Sequence, residues 1–421
     1  MPALGYDATR VTSGAILDHL DGLRAVLAIA VVLYHTGQYT GLDGELDAVP
    51  VLPEVLALGE FAVPVFIVLS GFTLMISVAR SDQLEVRGGW GGHLRRRAKR
   101  LLPPYFAALL VSIFLIAALP PLNTTLGTQW DRKIPMSVEA VISHLLLIHN
   151  LSPDLIGLLN GSLWSIAVEW QITLAMPLIL MLWRRTNTVA VVAAMTALGV
   201  ASSTSGVLAW SAPFFPLLFT LGMLAAYWTQ GDVGAIERRR GRLVGIVLHH
   251  HRVGTIVSTI LLVGVLAASS VRPVPMGTMM VGVVASMLLA FDQERARHDD
   301  RAPVMTRILS LDPLRRCGNA SYSIYLLHAP LLALGNLLLL PIEMPTIVRF
   351  VVLMLTVVPV TLLACGAFYL AVERRFLNSH QRTVTPTGRG RRRRGTPIAV
   401  GPVDRCPTAP DRSSAPYGAT G

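Results

Sequence analysis

Apolar residues fall in long blocks along this chain, and polar, often basic, segments separate them. The blocks span about 21–39, 61–79, 101–119, 161–183, 188–210, 213–229, 253–271, 274–291, 321–341 and 347–371. A helix rises about 1.5 Å per residue, so runs of roughly 17 to 25 apolar residues match the hydrocarbon thickness of a bilayer. The pattern predicts an all-α, polytopic membrane protein with about ten transmembrane helices. One further run, Val138–Ile148, is too short to cross and reads as an interfacial or re-entrant helix. The polar positions show no internal repeat, which speaks against a transporter built from inverted halves.

Composition agrees with that pattern. Of 421 residues, 52% are hydrophobic and only 14% charged, against about 25% charged in soluble domains. The mean hydropathy is +0.56. The first twenty residues contain Asp7, Asp18 and His19 and lack a continuous apolar core. They do not read as a cleavable signal, so the first block is expected to be a retained span. The expected organisation is a cytoplasmic segment 1–20, a transmembrane domain 21–375, and a disordered basic cytoplasmic tail 376–421.

The charge balance of +11 becomes informative once it is sorted by side. With ten alternating spans and a cytoplasmic N-terminus, 31 of the 36 Lys and Arg residues fall on inner segments. Only Arg132, Lys133 and Arg272 fall outside. Basic residues favour the cytoplasmic side, so both termini are expected there, in the plasma (inner) membrane. The first outer loop, 40–60, carries Asp43, Glu45, Asp47, Glu54 and Glu60 and no basic residue. The tail's RGRRRR at 389–394 should attract anionic membrane lipids at about 1 kcal/mol per residue near the surface. Its place just after the last span argues against a nucleic-acid role. Cys317, Cys365 and Cys406 lie far apart, without metal-ligand or disulfide spacing. His249, His250 and His251 read as a solvated polar tract.

Ionisable residues inside membrane helices are costly and tend to carry function. His35 stands in the far third of the first block, about 21 Å above Asp21 at helical rise. Its side chain is too short to snorkel, whereas that of Arg24 can reach an interface. In the second block, Ser70-Gly71 allows close helix packing or a ligand near the backbone. Arg97 and Arg100 are three apart, so in a helix they share a face and could clamp phosphate. Trp164 suits either an interfacial belt or a sugar or acyl site, and Glu169 follows on the same helix. Tyr322, Tyr325 and His328 recur on one side of the ninth block. Taken together, these residues describe a polar path across the membrane with a basic inner mouth. Two classes of function fit such a path: an enzyme, or a proton-coupled transporter or flippase of a lipid-linked sugar using His35 and Glu169 as a relay.

Five segments, LDGLRAVLAIAVVLYH, VPVFIVLSGF, RAKRLLPPY, LWSIAVEWQ and SYSIYLLHAPL, occur in this order over about residues 18–375. In this respect the chain resembles the integral-membrane acyltransferase-3 family, O-acyltransferases of surface polysaccharides, glycolipids and antibiotic sugars. The resemblance implies an acyl-CoA donor, acetyl-CoA first among them, used from the cytoplasmic side, with no permanently bound cofactor. It implies His35 as the essential histidine, Arg24 in the same motif, and Arg97 and Arg100 as paired arginines. It also points to Ser70-Gly71-Phe72, Glu169, and Tyr325 with His328. The chain departs from the pattern at Ile67, where an aromatic is often found, and at Thr173, where a tyrosine is. Both departures bear on pocket shape.

The resulting expectation is acyl transfer from a thioester to a sugar hydroxyl, with no metal. His35 and Glu169 are the catalytic pair, Glu169 orienting His35 or the sugar. Arg24, Arg97 and Arg100 hold the coenzyme. Asp21, Ser70, Trp164, Tyr325 and His328 bind substrate. No cysteine is placed to carry the acyl group, so the hydroxyl attacks the thioester directly, and an acyl-serine at Ser70 has no evident base near it in sequence.

Overall fold

The computed structural model describes residues 8–42, 58–79, 88–229, 274–298 and 304–377, plus single positions at 52, 55, 56, 81, 84–86, 258 and 261. The expected seventh span (253–271), the tract His249–His251 and the tail from 378 onward fall mainly or wholly outside the described residues. Among the described residues the chain is all helical, with no strand.

Thirteen α-helices follow in order: α1 (Ala8–Thr40), α2 (Ala62–Ala79), α3 (Gly89–Ala118), α4 (Val138–Leu145), α5 (Trp164–Arg185), α6 (Thr188–Ser205), α7 (Phe215–Thr229), α8 (Val274–His298), α9 (Val304–Leu309), α10 (Asp312–Asn319), α11 (Ser321–Leu339), α12 (Thr346–Val352) and α13 (Val358–Ala371). A wider turn, Leu353–Val357, joins α12 to α13 in one continuous rod. It accommodates Pro359, whose ring would clash with an ordinary turn. Among the described residues, seven helices or helical rods are long and apolar enough to cross a membrane. α7, of 15 residues, and α8 stand where the sixth and eighth spans were expected.

The structure shifts two boundaries. The third span was expected from 101, but α3 begins at Gly89 and carries Arg97 and Arg100 on its helical surface, with Pro103 and Pro104 inside it. The first helix begins at Ala8, well before Asp21. In both cases the polar leading turns were read as loop because they lack apolar periodicity. The short run after 137 is an eight-residue helix, capped by Ser137, whose Oγ accepts from the Ala140 amide at 3.0 Å. Val138, Ile142 and Leu145 lie exposed on one of its faces while Ala140, Ser143 and His144 are buried. An apolar face turned outward on so short a helix suits a membrane interface.

Two apolar cores hold the bundle. One gathers α2, α5, α7 and α8 around Phe72, Met75 and Phe219. The other gathers α1, α3, α11 and α13 around Tyr105, Leu109, Leu326 and Leu332, and also takes in Trp130. The first depends on small residues. A Cβ on Gly71 would lie 2.0 Å from the Phe219 carbonyl oxygen, and one on Gly222 2.0 Å from that of Val68. α2 and α7 therefore touch backbone to backbone, the packing for which small residues are selected in membranes. That contact fixes the rotation of α2. α11 is tied to α1 by Asn336, whose Nδ2 donates to the Tyr39 carbonyl at 2.7 Å and satisfies a helix-end acceptor. The charged residues sit at the seam between the two cores.

Candidate active site

Two open cavities lie along that seam. The first, about 770 Å³, is lined by Arg24, Ser70, Arg97, Arg100, Glu169 and Tyr325, among others. The second, about 1110 Å³, is lined by residues that include His35, Gln38, Glu60, Trp164, Trp210 and Tyr325. Val63 and Tyr325 belong to both walls, so the cavities meet there. Arg24 and His35, both on α1, mark the two ends and stand eleven residues apart, about 16 Å along a helix.

At the arginine end the charges are paired. Arg24 Nη1 donates to Asp21 Oδ1 at 2.6 Å. Arg97 forms an ion pair with Glu169, joining α3 to α5, and its Nη2 donates to Ser70 Oγ at 2.8 Å. Ser70 Oγ in turn donates to Glu169 Oε1 at 2.7 Å. Ser70 is unusual in this. Thr36, Thr73, Ser112, Thr173 and Thr229 each donate to a carbonyl four residues back on their own helix. That is the usual way a hydroxyl is satisfied in an apolar helix. Ser70 instead ties α2 to α3 and α5. Arg100 also lines this cavity and makes no ion pair among the described residues. Tyr322 Oη donates to the Leu101 carbonyl at 3.0 Å, fastening α11 to α3 at the same level.

At the histidine end the polar groups belong largely to one helix. His35 Nδ1 lies 2.9 Å from Gln38 Oε1, and Gln38 Nε2 donates to Tyr34 Oη at 2.8 Å. An amide oxygen can only accept, so with Gln38 Oε1 facing it Nδ1 is the donor, and in the neutral ring Nε2 keeps its lone pair. His328 behaves alike: its Nδ1 faces the Ile324 and Tyr325 carbonyls, both at 2.9 Å. The two imidazoles have ring centroids 5.1 Å apart. Tyr325 Oη and Ser165 Oγ are 2.6 Å apart, holding the ring at the junction of the cavities. Asn160, wholly buried, donates to Ser112 Oγ at 3.0 Å and to the Leu326 carbonyl at 2.8 Å. Lys133, from the segment between α3 and α4, lies across Gly161, where a Cβ would meet its Nζ at 2.5 Å. Burial, with the charge of Arg132 second, lowers the Lys133 ammonium to about 8.

The structure brings most of the expected residues together and divides them between the cavities. Arg24, Arg97, Arg100, Ser70 and Glu169 share the first, His35 and Trp164 the second, and Tyr325 both. Glu169 does not meet His35; its partners are Arg97 and Ser70, and Gln38 takes the orienting position. Asp21 lines neither cavity and serves as the anchor of Arg24. His328 is fully buried behind His35 and lines neither. Trp164 packs on Phe215, ring centroids 5.7 Å apart, in the wall of the histidine cavity. Sequence reasoning passed over Gln38, Ser165 and Trp210. Gln38 was accessible through its spacing, three residues beyond His35 and hence on the same helix face.

Residues 17–366 match the family model described as Acyltransferase domain. The Acyltransferase MdmB of Streptomyces mycarofaciens is 26% identical over 341 residues, which is 77% of this chain and 81% of that protein. The Peptidoglycan O-acetyltransferase OatA of Listeria monocytogenes is 24% identical over 338 residues, 75% of this chain and 49% of that protein, so the chain spans about half of its length. No solved structure matches.

Proposed function

We propose, from the premise that this chain belongs to the acyltransferase-3 family, that it moves an acyl group from acyl-CoA to a sugar hydroxyl with His35 as general base. The donor's phosphates sit at the arginine end. Asp21 and Glu169 offset Arg24 and Arg97, so Arg100 supplies the charge left over for an anion, while the other two guanidiniums supply directed donors. The acyl thioester lies near the junction at Val63 and Tyr325. The acceptor hydroxyl comes from the histidine end. His35 Nε2 takes its proton as the oxygen attacks the thioester carbon, the C–S bond breaks, and the thiolate leaves and recovers the proton from the imidazolium.

The observation that carries this reading is the His35–Gln38 bond, which leaves a basic nitrogen on a residue that lines a cavity abutting the arginine-lined one. Trp164 and Trp210 give that cavity flat aromatic walls of the kind sugar rings stack against. The acceptor is a sugar of a surface glycan, a glycolipid or a secondary metabolite, and the acyl group is acetyl in the simplest case. The arginine end faces the cytoplasm of a plasma-membrane protein, where the basic tail 376–421 meets anionic lipids.

The test is radiolabelled acetyl-CoA given to the purified protein with a sugar acceptor. His35→Ala should reduce transfer by about 10²- to 10⁴-fold, the usual contribution of a positioned base, with membrane expression unchanged. Full turnover in that variant refutes the base assignment. Proton-coupled sugar uptake without labelled product would support the transporter reading instead.

A further inference from the structure

Every carboxylate with a described place in the seam or its flanks has a partner except one. Asp21 holds Arg24, Glu169 holds Arg97, Asp292 meets His19 and Thr306, and Glu373 accepts from the Ser323 amide and hydroxyl. Glu60 lines the histidine cavity, is partly buried, and makes no hydrogen bond or ion pair among the described residues. Its carboxylate oxygens keep contact with solvent in the open cavity and are available to an incoming cation. Its position is firmly built. A Cβ on the preceding Gly59 would lie 2.3 Å from the Ala30 carbonyl oxygen and 2.5 Å from Tyr34 Cβ. Only glycine allows that approach, and it sets Glu60 against the turn of α1 that carries Tyr34 and His35. The cavity that Glu60 lines also takes Tyr34, Trp164, Trp210, Phe214 and Phe215 into its walls. Aromatic faces with one carboxylate are the surroundings that an organic ammonium prefers over a neutral ring.

We infer that the acceptor carries a protonated amine and that Glu60 holds it beside His35. A sugar with an amino group near the acylated hydroxyl fits this cavity. The amine supplies the charge that Glu60 lacks, and the aromatic walls take the rest of the ring. Among the described residues, the other titratable groups lining this space are His35, Tyr34 and Tyr325, and Lys133 lies against Gly161 in the wall; none of them pairs with Glu60. The inference rests on the proposed reaction only in taking this cavity as the acceptor's.

Equilibrium binding tests it without requiring turnover. The full chain in nanodiscs is titrated at pH 7 by calorimetry with two probes, the methyl glycosides of N,N-dimethylglucosamine and of N-acetylglucosamine. The tertiary amine is charged and cannot itself be acylated. It should bind at least about tenfold more tightly than the amide, about 1.4 kcal/mol. Glu60→Gln should erase that difference and leave the N-acetyl probe unaffected, and Glu60→Asp should keep part of it. Equal affinities, absence of binding by the amine, or an equal loss for both probes in Glu60→Gln would each overturn the inference. The two readings fail separately. An inactive His35→Ala enzyme with no amine preference sinks this one alone. An active His35→Ala enzyme that still prefers the amine sinks the base assignment alone.

Discussion

The two cavities are assembled in opposite ways. At the arginine end, contacts reach across the chain: Arg97 to Glu169 spans 72 positions and Ser70 to Glu169 spans 99. Arg24 finds Asp21 on its own helix, but the knot of Ser70, Arg97 and Glu169 is complete only when α2, α3 and α5 are all in place. At the histidine end, Tyr34, His35 and Gln38 lie within two turns of α1 and are bonded to one another along its surface. The first arrangement gives directed cationic donors with little net charge, suited to a polyanion that comes and goes. The second fixes one tautomer locally and leaves a carboxylate open nearby. In the proposed reaction, holding the donor and moving a proton would fall to different ends of the seam, with Tyr325 lining both cavities.

The sharpest way to break the comparison is at Glu169. Glu169→Ala leaves Arg97 charged, partly buried and without its carboxylate. Breaking one side of a buried pair typically costs about 3–5 kcal/mol. The double variant Arg97→Ala, Glu169→Ala removes the orphaned charge as well and should recover a good part of that loss. Thermal unfolding in detergent measures both. If the double variant is no more stable than Glu169→Ala, the pair is not the cross-brace described here.

The difference between the cavities also explains what was legible in the sequence. Local features were accessible: the apolar blocks, the shared face of Arg97 and Arg100, and the depth of His35 all follow from helical rise and period. Gln38, passed over in the sequence, lay within reach of the same rule. The partner of Glu169 did not. Nothing in the spacing tells a carboxylate on α5 which of α1, α2 or α3 it will face; the backbone contact at Gly71 and Gly222 helps decide that by fixing how α2 is turned. For the same reason, Ser70 was read as a packing or substrate-binding residue beside Gly71, and its cross-link to α3 and α5 was not foreseen. Glu60 was hidden differently. It stood among five acids of one loop, and only the approach of Gly59 to α1 singles it out.

A second test sharpens the local side of the comparison. Gln38→Leu removes the acceptor that fixes the proton on His35 Nδ1. Losing one such hydrogen bond is worth about 0.5–1.5 kcal/mol, so kcat should fall by up to about tenfold. KM for acyl-CoA should stay unchanged if the donor binds, as proposed, at the arginine end. Gln38→Glu still accepts from Nδ1 and should retain most of the rate. A rise in KM for the donor in Gln38→Leu would show that the two ends are not separable.

The smallest effect concerns a pair of histidines outside both cavities, and it keeps acid loss of activity from being charged to His35 alone. His144, on α4, and His149, just beyond it, are fully buried with ring centroids stacked at 3.7 Å. Burial lowers His144 to about 4 and His149 to about 3, the latter aided by the charge His144 would carry. In the unfolded chain both titrate near 6.5. Below that pH the unfolded state binds protons that the folded state refuses, so stability present at pH 7 declines as pH falls from about 6.5 toward 4. The slope is at most about 1.4 kcal/mol per pH unit for each histidine. His144→Phe, which keeps an aromatic ring on His149, removes one of the two titrating groups and should flatten that decline by up to half while leaving transfer at pH 7 intact. Melting curves between pH 7 and 4.5 check it. If wild type and variant lose stability in parallel, the acid sensitivity of the fold comes from elsewhere, and the low-pH limb of the rate profile must be sought at the seam.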